Sequence, residues 1–372
     1  MRLSTATQGD DGRAPGTRPA RAPDMIVDPA GADGAGNRAN PPRGWSGRGA
    51  QASGRRRLLL VAAALATLTA CGPGVHGDVQ NSDAGSSRAS ETRSSSSTVG
   101  SPTQPEPAVP SGVTKVLTII LENHGAAAVT AGMPELVGLA RTYGQASQYR
   151  AMTHPSLPNY LALAGGSTSG VTDDGPPTAH AVHGPSVFDL ALARGRTART
   201  YAEAMPTNCA RQNQGRYAVK HNPWAYFSDD TSRQACAVDD VPLGSATSGA
   251  LVDDIAGGTL PVVGLVVPDL CNDAHDCPLS TADAWVSGWV SRVLQGPDWR
   301  AGRLALLVTF DEAEASSDNT VLTVVVAPGL HGVVAHAALT HESWTRWMSD
   351  LAGSPAPGDA RGAPSLGAAF GL

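Results

Sequence analysis

The chain of 372 residues holds only two lysines, Lys115 and Lys220. Past residue 70 it carries 17 Lys plus Arg against 28 Asp plus Glu, a net charge near −11. That balance excludes nucleic acid as a partner, since binding a polyanion takes clustered cations. The apolar run that begins at Leu58 is about 13 residues long, too short for a permanent membrane span and typical of an export signal. No C-x-x-C pair is present, which argues against a thiolate metal site. No internal repeat is evident.

What is present divides the chain into four parts. Residues 1–57 hold ten Arg, no Lys and five Asp, and end in GRRR before LLLVAAALATLTAC. A basic stretch, an apolar run and then LTAC ending at Cys71 resemble the signal peptide and lipobox of bacterial lipoproteins. By that resemblance 1–70 is an N-terminal extension and signal peptide. Cys71 is then lipidated, and the exported chain is anchored to the membrane at the cell surface, with plain secretion as the alternative. Residues 71–112 are rich in Ser, Gly and Pro and cannot bury enough apolar surface to fold, so they read as a disordered tether. A globular domain follows at 113–353, and the Pro/Gly-rich 354–372 reads as a flexible tail. With Cys71 lipidated, four cysteines remain in an exported domain, which predicts disulfides Cys209–Cys236 and Cys271–Cys277.

Inside the domain, continuously apolar runs at 115–121, 260–267, 303–310 and 321–327 predict strands buried on both faces. Helix-compatible segments at 133–143, 157–164, 186–194, 248–256, 281–294 and 342–352 lie around and between them. This alternation predicts an α/β fold with a mostly parallel central sheet and helices on both faces. In such folds the active site lies beyond the C-terminal strand ends. Three predicted strands deliver acids there: Glu122 with Asn123 after the first, Asp269 and Asp273 with His275 after the second, Asp311 and Glu312 after the third. Taken singly, each is explained as a cap or a turn residue. Together they repel one another unless a cation joins them, so a divalent metal ion is predicted, its identity open among zinc, manganese, iron and calcium.

The stretch THPSLPNYLALAGG places Ser156 at a helix start between Pro155 and Pro158, where free N–H groups and the positive end of the helix dipole favour a phosphate. A metal beside that hydroxyl would activate it and neutralise a phosphate ester. The ordered segments ENH, THPSLPNYLALAGG, KHNPW, PDLCNDAHDC, TFDEAE and THESW resemble the bacterial phosphoesterase family of the alkaline phosphatase-like superfamily. That family includes secreted acid phosphatases, phosphatidylinositol phosphatases and phospholipases C. The resemblance covers roughly 115–353 and implies an alkaline phosphatase-like fold.

By this resemblance Ser156 is the nucleophile and Asn159 contacts a phosphate oxygen. Glu122, Asp311 and Glu312 bind one metal with Ser156, and Asn123 helps there. Asp273, His275 and His341 form a second metal site or a phosphate-binding group. Lys220 and Asn222 bind phosphate, and His221 protonates the leaving group. His154 is either a residue supporting the metal ligands or part of the turn. Asp311-Glu312 departs from the superfamily's Asp-His pair. Tyr160 stands where a sulfatase requires Arg, which argues against that activity. The expected function is metal-dependent phosphomonoester hydrolysis through a phosphoserine. A phospholipase C-like diesterase is the alternative, and an inactive surface-binding lipoprotein a remote one.

Overall fold

The computed structural model describes residues 112–315 and 317–372. The signal peptide, Cys71 and almost all of the tether lie outside the described residues. Ten strands are present among those described: β1 (Lys115–Leu121), β2 (Gly144–Ala146), β3 (Tyr149–Arg150), β4 (Ala198–Ala202), β5 (Asp240–Pro242), β6 (Val263–Val267), β7 (Leu304–Phe310), β8 (Thr323–Val326), β9 (Val333–Ala335) and β10 (Leu339–Thr340). Eight form one sheet in the order β5-β4-β6-β1-β7-β8-β2-β9, while β10 and β3 pair separately. The four apolar runs are therefore the sheet's central strands. β5, β4, β6, β1 and β7 run parallel, and β8 is antiparallel to β7. The α/β architecture with a mostly parallel sheet is as the apolar pattern predicts, since strands shielded on both faces need no alternation.

The helices are α1 (Ala126–Gly132), α2 (Pro134–Thr142), α3 (Ser156–Gly165), α4 (Val187–Ala193), α5 (Asp230–Asp239), α6 (Ala250–Gly257), α7 (Leu279–Val293), α8 (Pro297–Arg300) and α9 (His341–Ala352). They pack in two groups, with α3, α4 and α9 in mutual contact and α1, α2 and α7 likewise. Trp344 on α9 donates to Thr118 Oγ1 of β1 at 2.8 Å, which fixes that helix over the middle of the sheet. Asp283 of α7 accepts from the amides of Glu135 and Leu136 and so caps α2 from outside, where α2 has no side-chain cap of its own. Of the nine helices among the described residues, α1, α5 and α8 fall outside the helix-compatible segments, and α1 and α8 are only seven and four residues long. Both predicted disulfides are present, with Cα atoms 5.4 Å apart for Cys209–Cys236 and 4.7 Å for Cys271–Cys277.

The tail corrects the sequence reading. Residues 354–372 are not loose: Ala360 and Leu366 are fully buried, and Ala356 and Phe370 nearly so. Gly166, the left-handed cap of α3, offers its carbonyl to the amides of Asp359 and Ala360. A Cβ there would lie 2.3 Å from Pro357 O, so only glycine permits this close approach. Low hydrophobic content hid a segment that is held by backbone hydrogen bonds to Gly166 and Ser343 and by a few apolar side chains that join the core, Leu366 and Phe370 among them.

Candidate active site

Parallel strands end on a common edge, and here the ends are stitched together. Asp311 N donates to Leu121 O at 2.9 Å, and Glu122 N to Asp273 O at 2.8 Å. Glu122 leaves β1, Asp311 and Glu312 leave β7, and the loop after β6 brings Asp273 alongside. Ser156 opens α3 behind Pro155, which adopts extended backbone at the N-cap and follows a cis peptide bond. Pro158 costs the helix no hydrogen bond, because the first turn has amides without intrahelical partners.

The side chains converge on Ser156. Its Oγ donates to Glu122 Oε2 at 3.0 Å and lies 3.3 Å from the Asn123 side chain. Asn123 has φ 51°, in the left-handed region that Asn tolerates best among side chains bearing a Cβ, and its amide donates to Asp311 Oδ1 at 3.1 Å. The Asn123 side-chain atom nearest Ser156 is 3.1 Å from Glu122 Oε2, 3.3 Å from Asp311 Oδ1 and 3.2 Å from Glu312 Oε1. As nitrogen it donates to all three. As oxygen it accepts from Ser156 Oγ and completes a ring of oxygens whose repulsion a cation would relieve. Asp311 Oδ2 is buried and has no hydrogen-bond partner among the described residues.

Electrostatics point the same way. Burial, and then the charges of Glu122 and Glu312, push the Asp311 carboxyl well above the usual range. Burial and Glu122 push Glu312 to about 8. Burial also opposes ionisation of Glu122, but the close His221 charge and the Tyr160 hydrogen bond outweigh it and lower its pKa. Three buried carboxylates and an amide oxygen thus fit a hard divalent cation, which would relieve their repulsion and satisfy Asp311 Oδ2. A carboxylate oxygen of Glu122 and one ring nitrogen each of His221 and His275 also lie within 4.8 Å of one another.

Around this centre the structure sorts the remaining predicted residues. His221 is buried, with Nε2 3.2 Å from Glu122 Oε2 and Nδ1 3.3 Å from Asp273 Oδ2. Burial resists its charge, yet the two carboxylates raise its pKa to about 9. Both ring nitrogens face acids, so contact with a leaving group is not available to it, contrary to the sequence reading. Lys220 Nζ lies 2.9 Å from Asp174 Oδ2 and 3.5 Å from His275 Nε2 at the open rim. His275 Nδ1 is 2.8 Å from Asp276 Oδ1. His154 Nδ1 is 2.9 Å from Glu312 Oε2, which makes it a support for that carboxylate.

Three predicted contacts are corrected. Asn159 is fully buried and its amide is spent on the turn: Oδ1 accepts from Met152 N and Thr153 N, and Nδ2 donates to Thr153 O, Pro155 O and Glu312 Oε2. It has nothing left for a phosphate oxygen. Asn222 points away from Ser156 and donates to Tyr217 Oη at 3.0 Å and to buried Asp240 Oδ2 at 2.8 Å. His341 has Nε2 2.5 Å from Asp311 O and Nδ1 3.0 Å from Tyr149 Oη. Burial lowers its pKa to about 4, and it serves as a neutral brace for the Asp311 backbone rather than a ligand.

Two residues outside the predicted set belong here. Tyr160 Oη donates to Glu122 Oε1, and its ring stacks on His221 at 5.3 Å and 15°. Its signal was position: four residues after Ser156, it shares that residue's helix face. Asp174 accepts from Leu157 N at 3.0 Å as well as from Lys220, and nothing in its glycine-rich surroundings marked it.

A family model described as the Phosphoesterase family matches residues 130–346, more than half of the chain. The chain belongs to the Phosphoesterase family. It is therefore a hydrolase acting on phosphate esters. It is 30% identical over 261 residues to a phosphatidylinositol-3-phosphatase of Mycobacterium tuberculosis, covering 68% of this chain and 81% of that protein. It is 30% identical over 230 residues to a phosphate-repressible acid phosphatase of Penicillium chrysogenum, covering 57% of this chain and 52% of the relative. The chain thus spans about half the length of the fungal protein. Among solved structures, a protein in the alkaline phosphatase superfamily from Vibrio parahaemolyticus aligns over 69% of this chain and 71% of that chain, with TM-score 0.46 and 10% identity.

Proposed function

We propose that this Phosphoesterase family member hydrolyses phosphomonoesters at the cell surface, through Ser156 as nucleophile and a phosphoserine intermediate. It is held to the membrane by lipid on Cys71 and uses a divalent metal ion. The observation that carries this reading is the position of Ser156 Oγ, 3.0 Å from Glu122 Oε2 and beside buried acids whose Asp311 Oδ2 has no hydrogen-bond partner among the described residues. The names of the two relatives, both phosphatases, favour the monoester.

Glu122, Asn123, Asp311 and Glu312 would hold the metal. Bound there, it lowers the pKa of a hydroxyl and neutralises charge on phosphoryl oxygens. The chain does the rest. Ser156 Oγ sits at the positive end of α3, where the dipole favours the incoming dianion. As Oγ bonds to phosphorus its proton passes to Glu122 Oε2, from which Ser156 later regains it, while the ester P–O bond breaks and the departing oxygen takes a proton. His275, exposed at the rim beside Lys220, is placed to give that proton, and the Lys220 ammonium draws the phosphate to the rim. Water then attacks the phosphoserine, the Oγ–P bond breaks and Ser156 recovers its proton. His221, charged between Glu122 and Asp273, offsets the negative charge of the strand ends.

The test is turnover of a chromogenic phosphomonoester and of its choline diester, with and without chelator, by the parent chain and Ser156→Ala. Monoester turnover that chelator abolishes and that falls on the order of a thousandfold or more in Ser156→Ala is expected. Turnover of the diester instead overturns the monoester assignment, and full turnover by Ser156→Ala overturns the nucleophile.

A further inference from the structure

Glu122 is the hinge of the site, and one of its oxygens has a single partner. Tyr160 Oη donates to Oε1, and among the described residues no other side chain donates there. The other oxygen, Oε2, faces Ser156 Oγ at 3.0 Å and His221 Nε2 at 3.2 Å. Tyr160, Glu122 and His221 are all buried, and Tyr160 is locked in α3, between that carboxylate and the His221 ring on which it stacks. A carboxylate left free can rotate and exchange its two oxygens. One bound to a rigid phenol cannot, and the face it turns to the nucleophile is then set. Tyr160 and Ser156 are also one helical turn apart, so a single rigid element carries both the nucleophile and the group that orients the nucleophile's partner.

We infer that Tyr160 is a positioning residue: through Oη it fixes which edge of Glu122 meets Ser156 and the divalent cation, and through its ring it holds the plane of His221. The inference rests on the reading of Ser156 as nucleophile. A group behind a metal ligand typically changes metal affinity or activity about 10- to 100-fold when removed. Tyr160→Phe keeps the ring and removes only the hydroxyl. Expected are a fall in kcat of about 10- to 100-fold, KM for a chromogenic phosphomonoester within about twofold of the parent, and roughly tenfold weaker Mn²⁺ binding by the chelator-treated full chain.

Loss of a buried hydrogen bond alone could lower stability, so a matched control is needed. Tyr201 on β4 is also buried and donates Oη to Asp254 Oδ2 at 2.8 Å. Tyr201→Phe is expected to lower the melting temperature while leaving kcat and Mn²⁺ affinity unchanged. Wild-type kcat or wild-type Mn²⁺ affinity in Tyr160→Phe overturns the inference. Ser156→Ala measured alongside separates the two readings: retained turnover there overturns the nucleophile assignment itself, whereas lost turnover there with wild-type kcat in Tyr160→Phe removes only the role given to Tyr160.

Discussion

Replacing Asn159 with Ala distinguishes a clamp from a substrate contact. The side chain makes five hydrogen bonds, at 2.9 and 3.1 Å from the amides of Met152 and Thr153, and at 2.8, 3.2 and 3.1 Å to Thr153 O, Pro155 O and Glu312 Oε2. Alanine leaves two amide donors without an acceptor, at a cost of about 1–3 kcal/mol each when water cannot reach them. Met152 and Thr153 are half-buried, so water recovers part of this and about 2–4 kcal/mol is expected. For a domain of this size that lowers the melting temperature by roughly 5–10 °C. Because Asn159 faces the turn, competitive inhibition by inorganic phosphate should shift by less than about twofold, whereas kcat should fall as the Ser156 turn loosens. The assay is urea unfolding followed by circular dichroism, paired with phosphate inhibition at a temperature where the variant is folded. A direct bond to a phosphate oxygen would instead weaken inhibition about tenfold or more. Stability within about 0.5 kcal/mol of the parent, together with that weaker inhibition, would refute the reasoning.

Other predictions follow from single sites. Burial pushes Asp240 to about 7, although Thr200 Oγ1 and Asn222 Nδ2 bond to its carboxylate. The folded chain therefore keeps a proton that the unfolded chain releases above its ordinary pKa of 3.8, so this group's contribution to stability is full at low pH and falls as pH rises from about 4 to 7. The loss amounts to about 4 kcal/mol at most, and Asp240→Asn should flatten stability against pH across that window in denaturant titrations. If the two curves stay parallel, the buried acid is not protonated in the fold. Removing the Cys271–Cys277 bridge by paired Ser substitutions should cost about 2 kcal/mol, because the closed loop is short. It should lower kcat further, because Asp273 and His275 ride on that loop; unchanged kcat in the folded variant would contradict their place at the site.

The parts of this molecule that were legible in the sequence are those with one dominant cause. The apolar runs at β1, β6, β7 and β8 had to be buried strands, and parallel strands had to bring Glu122, Asp273 and Asp311 to one edge. Ser156 was legible because two prolines framed it at a helix start. Polar residues next to those motifs were not. Asn159, Asn222 and His341 carry the same chemistry as ligands, and only their partners reveal that they hold backbone and buried acid in place. The tail at 354–372 misled for the opposite reason: its fixing bonds come from the backbone, which composition does not register.

The most direct test of the central claim is to trap the covalent enzyme. The full chain, mixed with a ³²P-labelled phosphomonoester and quenched in acid within a single turnover, should carry label on one peptide, with the phosphate on Ser156. Label on another residue, or phosphate release with no labelled protein at any time, would contradict the account.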